Sequence, residues 1–267
     1  MVTCAMPLFR IATYNVNSIR SRLHIVIPWL ERNRPVVLCM QETKVSDDLF
    51  PADEFRKIGY HVVFRGGKKG NGVAVAAPET PREVKFGIDD GKEPCEDRLI
   101  TGIFGGVPVI NAYAPQGFKM QAPQFQFKLE WYGRFREILS RRFSPKGRLV
   151  VCGDLNVAPE PIDVHNPKRL LGHVDFNPEV WKEFEELKKW GLLDVFRKHH
   201  AGEAGRYTFF DYRIPGTVER NIGWRVDHIL ATRTLAVRSV RCDIDMEPRL
   251  AEKASDHTIL FADFNIT

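Results

Sequence analysis

The stretch Arg148-Leu-Val-Val-Cys-Gly-Asp154-Leu-Asn156 is the most informative part of this chain, because a short apolar run ends there in a carboxylate and an amide. Short apolar runs indicate buried strands, and α/β sheets place ligand groups at strand ends. Three other segments share the design: Val36-Val-Leu-Cys-Met-Gln-Glu42-Thr43, Trp224-Arg-Val-Asp227-His228-Ile-Leu and Ser255-Asp256-His257-Thr-Ile-Leu-Phe. Hard oxygen ligands gathered at such ends suit Mg²⁺ or Mn²⁺, and a nearby histidine adds proton-transfer or phosphate-binding chemistry.

The composition is that of an ordinary globular protein. The chain has 267 residues, of which 43% are hydrophobic and 27% charged, so we expect a sizeable core and no extensive disorder. The net charge of +5 permits a polyanionic partner without requiring one. The five cysteines are an odd number without a CxxC pair, which favours a reducing compartment. No signal peptide or membrane-spanning run is apparent, and we expect a cytoplasmic protein that does not bind membranes.

Hairpins alternate with amphipathic helices along the chain. A first strand runs from residue 9 to 16. A helix follows from residue 19, and Pro28 inside its pattern should kink or shorten it. Residues 60–77 form a hairpin around a glycine-rich turn. Residues 80–97 are predicted to be loop-rich. A long helix covers residues 125–143, and Asn177 caps a later one. Three strands over 207–212, 225–231 and 258–264 close the chain. This pattern predicts a single domain over 1–267, with 1–8 a loose extension, built from two packed, mostly antiparallel sheets with helices outside.

The ordered motifs resemble the exonuclease III family of apurinic/apyrimidinic (AP) endonucleases, part of the endonuclease/exonuclease/phosphatase superfamily. The resemblance runs from Tyr14-Asn15-Val16-Asn17 to Ser255-Asp256-His257. Between them, in family order, lie Gln41-Glu42-Thr43, Asn111-Ala-Tyr113-Ala-Pro-Gln-Gly117, Gly153-Asp154-Leu-Asn156, Tyr207-Thr-Phe-Phe-Asp-Tyr212 and Trp224-Arg-Val-Asp227. The resemblance implies a four-layer α/β sandwich whose active site lies where both sheets end.

The resemblance also implies roles for individual residues. Tyr113, Asp154, Asn156, Asp227 and His257 would be catalytic: Asp154 and Asn156 would position the attacking water, and His257, oriented by Asp227, would face the scissile phosphate that Tyr113 touches. The metal site would draw on Asn15, Glu42, Asp154, Asn156, Asp256 and His257. Sequence leaves open the number of metal ions and whether Asp154 or His257 is the general base; we favour Asp154.

For the substrate, the resemblance implies double-stranded DNA that contains abasic sites or blocked 3′ ends. The expected activity is Mg²⁺-dependent incision 5′ to the abasic site, accompanied by 3′→5′ exonuclease or 3′-end-cleaning activity. The residues that would contact DNA are Arg20, Arg98, Lys119, Phe209, Arg213 and Trp224; among them Phe209 and Trp224 would wall the pocket for the baseless sugar. We expect a monomer, and the sequence does not identify its protein partners.

Taken alone, each residue could also have a purely structural role. Asp154 and Asn156 could form a turn after a strand, Tyr113 could pack beside Pro115, and large aromatic residues are more often core than pocket residues. Two other functions stay open: a phosphatase or phosphodiesterase of the same superfamily that acts on a substrate other than DNA, and a DNA-binding module without catalysis.

Overall fold

A computed structural model describes residues 8–67 and 70–266 of the chain. Its first sheet contains β1 (Phe9–Asn15), β2 (Val37–Gln41), β3 (His61–Arg65), β4 (Val73–Ala77), β11 (Ser239–Asp245) and β12 (Ile259–Phe264), in the order β11-β12-β1-β2-β4-β3. Only one pair of neighbours in this order, β1 and β2, is parallel. Apart from Leu8, the extension expected over 1–8 lies outside the described residues, as do Lys68 and Lys69 of the glycine-rich turn.

The second sheet also has six strands. It contains β5 (Arg82–Phe86), β6 (Leu99–Phe104), β7 (Val107–Ala112), β8 (Val150–Asp154), β9 (Leu192–Asp194) and β10 (Asp227–Thr232), in the order β5-β6-β7-β8-β10-β9. Here β7 and β8 are parallel and the other neighbours in the order are antiparallel. Each sheet is therefore mixed, with one parallel pair near its centre.

Helices follow many of the strands along the chain. They are α1 (Ile19–Asn33), α2 (Ala52–Lys57), α3 (Pro123–Arg142), α4 (Pro167–Leu170), α5 (Pro178–Trp190), α6 (Val195–His199), α7 (Arg233–Ala236) and α8 (Glu247–Leu250). The longer helices cover the outer faces of the two sheets, whereas α6 and α7 contribute to the apolar cluster that fills the space between the sheets. A second joins the first sheet to α1 and α2, and a third joins the second sheet to α3 and α5. The predicted four-layer α/β sandwich is confirmed. None of the described helices has the length and apolar character needed to cross a bilayer.

The predicted cap of α5 is confirmed, whereas other local predictions differ from the structure. The side chain of Asn177 accepts hydrogen bonds from the backbone N–H groups of Glu179 and Val180, as expected of the cap of α5. Helix α1, however, continues through Pro28 to Asn33. Pro28 lies on the exposed face, where water can solvate the carbonyl that lacks its usual donor. Residues 80–97 were expected to be loop-rich, but they include the edge strand β5.

The segment 207–212 is not a strand of either sheet, although its apolar pattern predicts one. Phe209 instead forms isolated bridges with Trp224, which precedes β10, and with His257, which precedes β12. The segment thus crosses from the end of one sheet to the end of the other. This crossing places an aromatic residue beside the edge where both sheets end.

Candidate active site

The ends of six strands bring the predicted polar residues to one edge of the sandwich. Each sheet contributes three: Asn15, Glu42 and His257 come from the first sheet, and Tyr113, Asp154 and Asp227 from the second. The antiparallel pairing of β8 with β10 places Asp154 directly opposite Asp227. Glu42 directly follows β2 and His257 precedes β12.

A glycine makes the position of Asp154 possible. Gly153 has φ 143°, and a Cβ atom there would lie 1.9 Å from the carbonyl oxygen of Ala112 on the neighbouring strand. Any side chain would force β8 away from β7 at the point where both approach the site. The Gly-Asp order of the sequence motif therefore reflects close backbone packing just before the carboxylate.

The amide of Asn15 connects two carboxylates. Its Nδ2 atom donates hydrogen bonds to Oε1 of Glu42 and to Oδ2 of Asp154, each at 2.9 Å. The Tyr113 hydroxyl also donates to Oε1 of Glu42, at 2.9 Å. On the other side, Nζ of Lys44 lies 2.8 Å from Oε2 of Glu42. Glu42 therefore lies at the centre of a hydrogen-bonded group that joins both sheets.

Asp154 and Asn156 are held together by their own turn. The backbone N–H of Asn156 donates to Oδ1 of Asp154 at 2.9 Å, and the Asn156 side chain donates to the carbonyl of Ala114 at 2.9 Å. Asn156 adopts φ 48°, a left-handed conformation that asparagine tolerates better than most residues. These hydrogen bonds fix both side chains next to the loop after β7, which carries Tyr113 and Ala114.

His257 and Asp227 form a buried pair. Nδ1 of His257 lies 2.8 Å from Oδ2 of Asp227, and its Nε2 lies 3.9 Å from Oδ2 of Asp154. Burial alone would lower the pKa of His257, but the Asp227 carboxylate raises that pKa to about 10. The imidazole is therefore protonated at neutral pH and directs a positive Nε2–H toward Asp154.

The site contains more carboxylates than cations to balance them. Burial raises the pKa of Asp154 to about 8, although His257 acts in the opposite direction. Burial also opposes ionisation of Glu42, but Lys44 and Asn15 lower its pKa overall. The Oδ1 atom of Asp227 is buried and has no hydrogen-bond partner. This surplus of desolvated oxygen atoms is the environment that a divalent cation stabilises.

The ligand geometry also fits a metal ion. Among the residues that the structure describes, one side-chain oxygen or nitrogen atom from each of Asp154, Asp227 and His257 lies within 4.8 Å of the others. The carboxylate oxygen atoms of Asp154 and Asp227 are the possible ligands in this group, because a protonated imidazole has no free lone pair for a metal ion. Glu42 is connected to this group through Asn15. Asp256 points elsewhere, since its Oδ1 accepts a hydrogen bond from Nδ2 of Asn17 at 2.9 Å.

Two aromatic residues, Phe209 and Trp224, lie on one side of the site, and Phe209 contacts His257. The Phe209 ring lies 5.0 Å from the His257 ring, and Phe209 and Trp224 are bridged through their backbones. Trp224 in turn contacts His173, with ring centroids 4.8 Å apart, and Phe176 at 6.5 Å. The predicted wall residues thus lie together, only partly buried, next to the catalytic candidates. His173 was not predicted, because its contact with Trp224 depends on how the loop before α5 docks.

Arg98 lies against Tyr113 rather than extending freely into solvent. Its guanidinium carbon is 4.8 Å from the centroid of the Tyr113 ring, and Nη2 donates to Oδ1 of Asn71 at 3.1 Å. A half-buried arginine in this place can support Tyr113 and still offer N–H groups to a phosphate.

The other predicted DNA contacts are exposed on loops and helix ends around the site. Arg20 lies in the first turn of α1, and the ammonium of Lys119 is 5.6 Å from the Phe118 ring. Arg213 pairs with Asp211 at 2.7 Å, so binding a phosphate there would compete with an existing ion pair.

Two charged residues at the site were missed by sequence reasoning. Lys44 follows Glu42 by two positions in Gln41-Glu42-Thr43-Lys44, and this proximity was a usable signal. No such signal exists for Lys128, because this residue lies within the amphipathic pattern of α3. Yet its ammonium is fully buried and donates to the carbonyl of Asn156 at 2.6 Å and to Oδ1 of Asp175 at 2.6 Å.

Comparisons with known proteins agree with this geometry. Residues 12–257 match the model of the Endonuclease/Exonuclease/phosphatase family. The chain is 33% identical to exodeoxyribonuclease III of Haemophilus influenzae, over 94% of this chain and 98% of that protein. The structure of an AP endonuclease from Archaeoglobus fulgidus superposes with a TM-score of 0.94 and 52% identity, covering 97% of this chain and 100% of the other. The structure of a 3′-5′ exonuclease from Neisseria meningitidis superposes with a TM-score of 0.91 and 34% identity, covering 96% of this chain and 99% of the other. A further structure of that Neisseria protein, described as a 3′ phosphatase, contains a product DNA hairpin.

The chain belongs to the endonuclease/exonuclease/phosphatase family, a class of metal-dependent hydrolases. Within that class it belongs to the branch of exodeoxyribonuclease III and the AP endonucleases.

Proposed function

We propose that this protein is a Mg²⁺-dependent DNA repair phosphodiesterase that incises the backbone 5′ to an abasic site and leaves a 3′ hydroxyl. The same site would remove nucleotides or blocking groups from 3′ ends. The observation that carries the proposal is the meeting of Asp154, Asp227 and His257 at the edge where both sheets end. Relatives described as AP endonuclease, exodeoxyribonuclease III and 3′-5′ exonuclease support both activities.

In this proposal Asp154 removes the proton from the attacking water. Its carboxylate is held in a fixed orientation, because Oδ1 accepts a hydrogen bond from the backbone N–H of Asn156 and Oδ2 accepts one from Nδ2 of Asn15. General-base catalysis of this kind contributes typically about 10²–10⁴-fold to a rate.

His257 stabilises the negative charge that develops on the phosphate. Asp227 keeps the imidazole protonated and holds its orientation, so that no reorganisation is needed when charge develops. The Tyr113 hydroxyl, which donates to Oε1 of Glu42, would donate to a phosphate oxygen of the substrate.

Mg²⁺, or Mn²⁺ in its place, would be held by Glu42 and Asp154, with Asp227 close by. When bound it supplies Lewis-acid stabilisation of the phosphate and lowers the pKa of water. Asn15 aligns the two carboxylates through its amide group, because its Nδ2 atom already donates to both.

The direct test uses a fluorescent duplex that carries one abasic-site analogue, incubated with Mg²⁺ or with EDTA. We expect a single incision 5′ to the analogue with Mg²⁺ and none with EDTA. A duplex left intact in the presence of Mg²⁺ rejects the proposal. Release of inorganic phosphate from an inositol phosphate, without DNA cleavage, would instead favour a family member that acts on another substrate.

Phe209→Ala is expected to reduce the preference for abasic DNA over intact DNA by about tenfold, which corresponds to about 1.4 kcal/mol of lost discrimination. The ring lies 5.0 Å from the His257 ring, where it can exclude a normal nucleotide from the pocket. The measurement is the ratio of kcat/KM for the abasic duplex to that for intact 3′ ends. Phe210→Leu, at a buried neighbouring position, serves as the control for general loosening of the segment. An unaltered ratio in Phe209→Ala would assign this residue to packing.

Arg98→Gln is expected to weaken DNA binding and to reduce the slope of log K against log salt by about 1, because one phosphate contact disappears. Fluorescence anisotropy at several salt concentrations measures both quantities. The alternative role of Arg98 is support of Tyr113 alone. In that case the rate of incision falls while the salt slope stays the same.

A further inference from the structure

The loop after β7 exposes an aromatic ring beside the active site. Phe118 is 68% exposed, the second highest value among the exposed large hydrophobic residues, and its backbone has φ 60°. Only five positions separate it from Tyr113, whose hydroxyl contacts Glu42. A phenylalanine in a left-handed conformation is conformationally costly, and its exposed ring gains nothing from the core.

Hydrogen bonds that involve Gln116 and the buried Lys128 hold this loop in place. The Oε1 atom of Gln116 accepts a hydrogen bond from the backbone N–H of Phe118 at 2.8 Å, and the Gln116 carbonyl accepts one from the Lys128 ammonium at 3.1 Å. The same ammonium donates to the carbonyl of Asn156 and to Asp175. Lys128 thereby fixes the loop that carries Phe118 and the turn that carries Asn156 to one common point.

The backbone that carries the exposed ring is therefore held relative to the turn that carries Asn156. A solvent-facing aromatic ring on such a loop suits a flat partner, and nucleobases stack on such rings with little dependence on sequence. A baseless nucleotide leaves the adjacent base without one of its stacking neighbours, so that base offers an open face at the lesion. The Lys119 ammonium lies over the Phe118 ring and adds positive charge where the DNA backbone would pass.

We propose that Phe118 stacks on the nucleobase exposed next to the baseless nucleotide and so contributes to the recognition of abasic DNA. This inference rests on the proposed function. Phe118 is a specificity-determining residue in this scheme, because intact duplex DNA has no open base face to offer. The ring takes no part in cleavage of the phosphodiester bond.

The test measures binding of the full chain, in EDTA, to a duplex with an abasic-site analogue and 2-aminopurine as the adjacent base. Fluorescence of 2-aminopurine reports stacking, and anisotropy of a terminal dye reports affinity. Phe118→Ala is expected to weaken affinity for this duplex about tenfold, within the range for one base stacked on an aromatic ring. Phe118→Leu should resemble Phe118→Ala, and Phe118→Trp should bind as well as the parent protein. Affinity for intact duplex should stay the same in all three variants.

Two controls separate stacking from other effects. Val237→Ala removes another exposed apolar side chain, beyond the far end of β10 from Asp227, and should change nothing. Phe118→Ala should leave the salt slope unchanged because it removes no charge, whereas Lys119→Ala should reduce it by about 1.

Unchanged affinity of Phe118→Ala for abasic DNA overturns the inference, and so does full function of Phe118→Leu. Addition of Mg²⁺ to the parent protein on the same duplex tests the proposed function separately. If the parent protein incises the duplex but Phe118→Ala binds it as tightly as the parent, the role of Phe118 is rejected and the proposed function stands.

Discussion

Asp154→Asn is expected to reduce incision at an abasic site by at least about 10²–10⁴-fold, the contribution typical of a general base. The substitution removes the proton acceptor and one negative charge but keeps the shape of the side chain. The new amide can accept from one of the two groups that now donate to Asp154, the Asn156 backbone and the Asn15 side chain, but not from both. DNA affinity should be retained, because Asp154 is almost fully buried. Single-turnover kinetics and anisotropy on the same duplex measure both properties.

A metal titration separates the two roles that Asp154 would have. If the variant is slow because it binds the cation weakly, a large excess of Mg²⁺ restores the rate. If it is slow because the base is gone, the rate stays low at saturating Mg²⁺. Asp53→Asn, at an exposed position in α2, is the matched control and should behave as the parent protein. A residual rate within tenfold of the parent would shift the assignment of the base to His257.

Arg225→Ala is expected to lower the free energy of unfolding by about 3–5 kcal/mol, the usual cost of breaking a buried ion pair. Arg225 is fully buried and contacts Asp163 at 2.6 Å and Asp194 at 2.9 Å. Asp163 would keep its contact with Arg197, but Asp194 would lose this guanidinium while remaining buried. Urea denaturation measures the effect, and Arg56→Ala is the control. Arg56 pairs with Asp53 on the surface, where such pairs contribute about 0–1 kcal/mol.

The stability difference between Arg225→Ala and the parent should depend on pH. Burial would raise the pKa of Asp194, but Arg225 reverses this and holds that pKa well below its ordinary value. A carboxyl group with a depressed pKa contributes stability above its unfolded pKa of about 4 and loses that contribution as pH falls through the folded pKa. The variant and the parent should therefore converge in acid. A constant difference from neutral to acidic pH would show that lost packing, rather than lost charge pairing, dominates.

The catalytic candidates could be predicted from sequence because each lies in a short local motif. Asp154 follows a glycine at the end of an apolar run, Glu42 comes just after such a run, and Asp227 stands at the start of one. The physics behind this signal is local: a buried strand must end at the surface, and its last residue meets solvent or substrate. The architecture followed for the same reason, since the strands that form the centres of both sheets are the apolar ones.

The edges of the sheets could not be predicted in this way. Strand β5 reads Arg-Glu-Val-Lys-Phe and is largely exposed, so its composition resembles that of a loop. Charged residues on an edge strand discourage pairing with other chains, and this same property hides the strand from hydrophobic patterning. Strands β9 and β11 were also not predicted. Strand β9 has only three residues, too few for a recognisable pattern.

Buried charges were the second class that sequence could not reveal. Lys128 lies in a helix, and Arg225 lies just before a strand, so each fits a simpler interpretation as a surface residue. Their partners, Asp175 for Lys128 and Asp163 and Asp194 for Arg225, are at least 31 positions away in sequence. Such pairings arise only when loops dock, and no local pattern specifies them.

The division of the reaction centre between the two sheets has a consequence for how the enzyme matures. A partly folded chain with one sheet formed holds either His257 or its Asp227 partner in place, but not both together. We therefore expect such a species to lack incision activity. Incision of DNA would then require both sheets to have docked, so that activity would report complete folding.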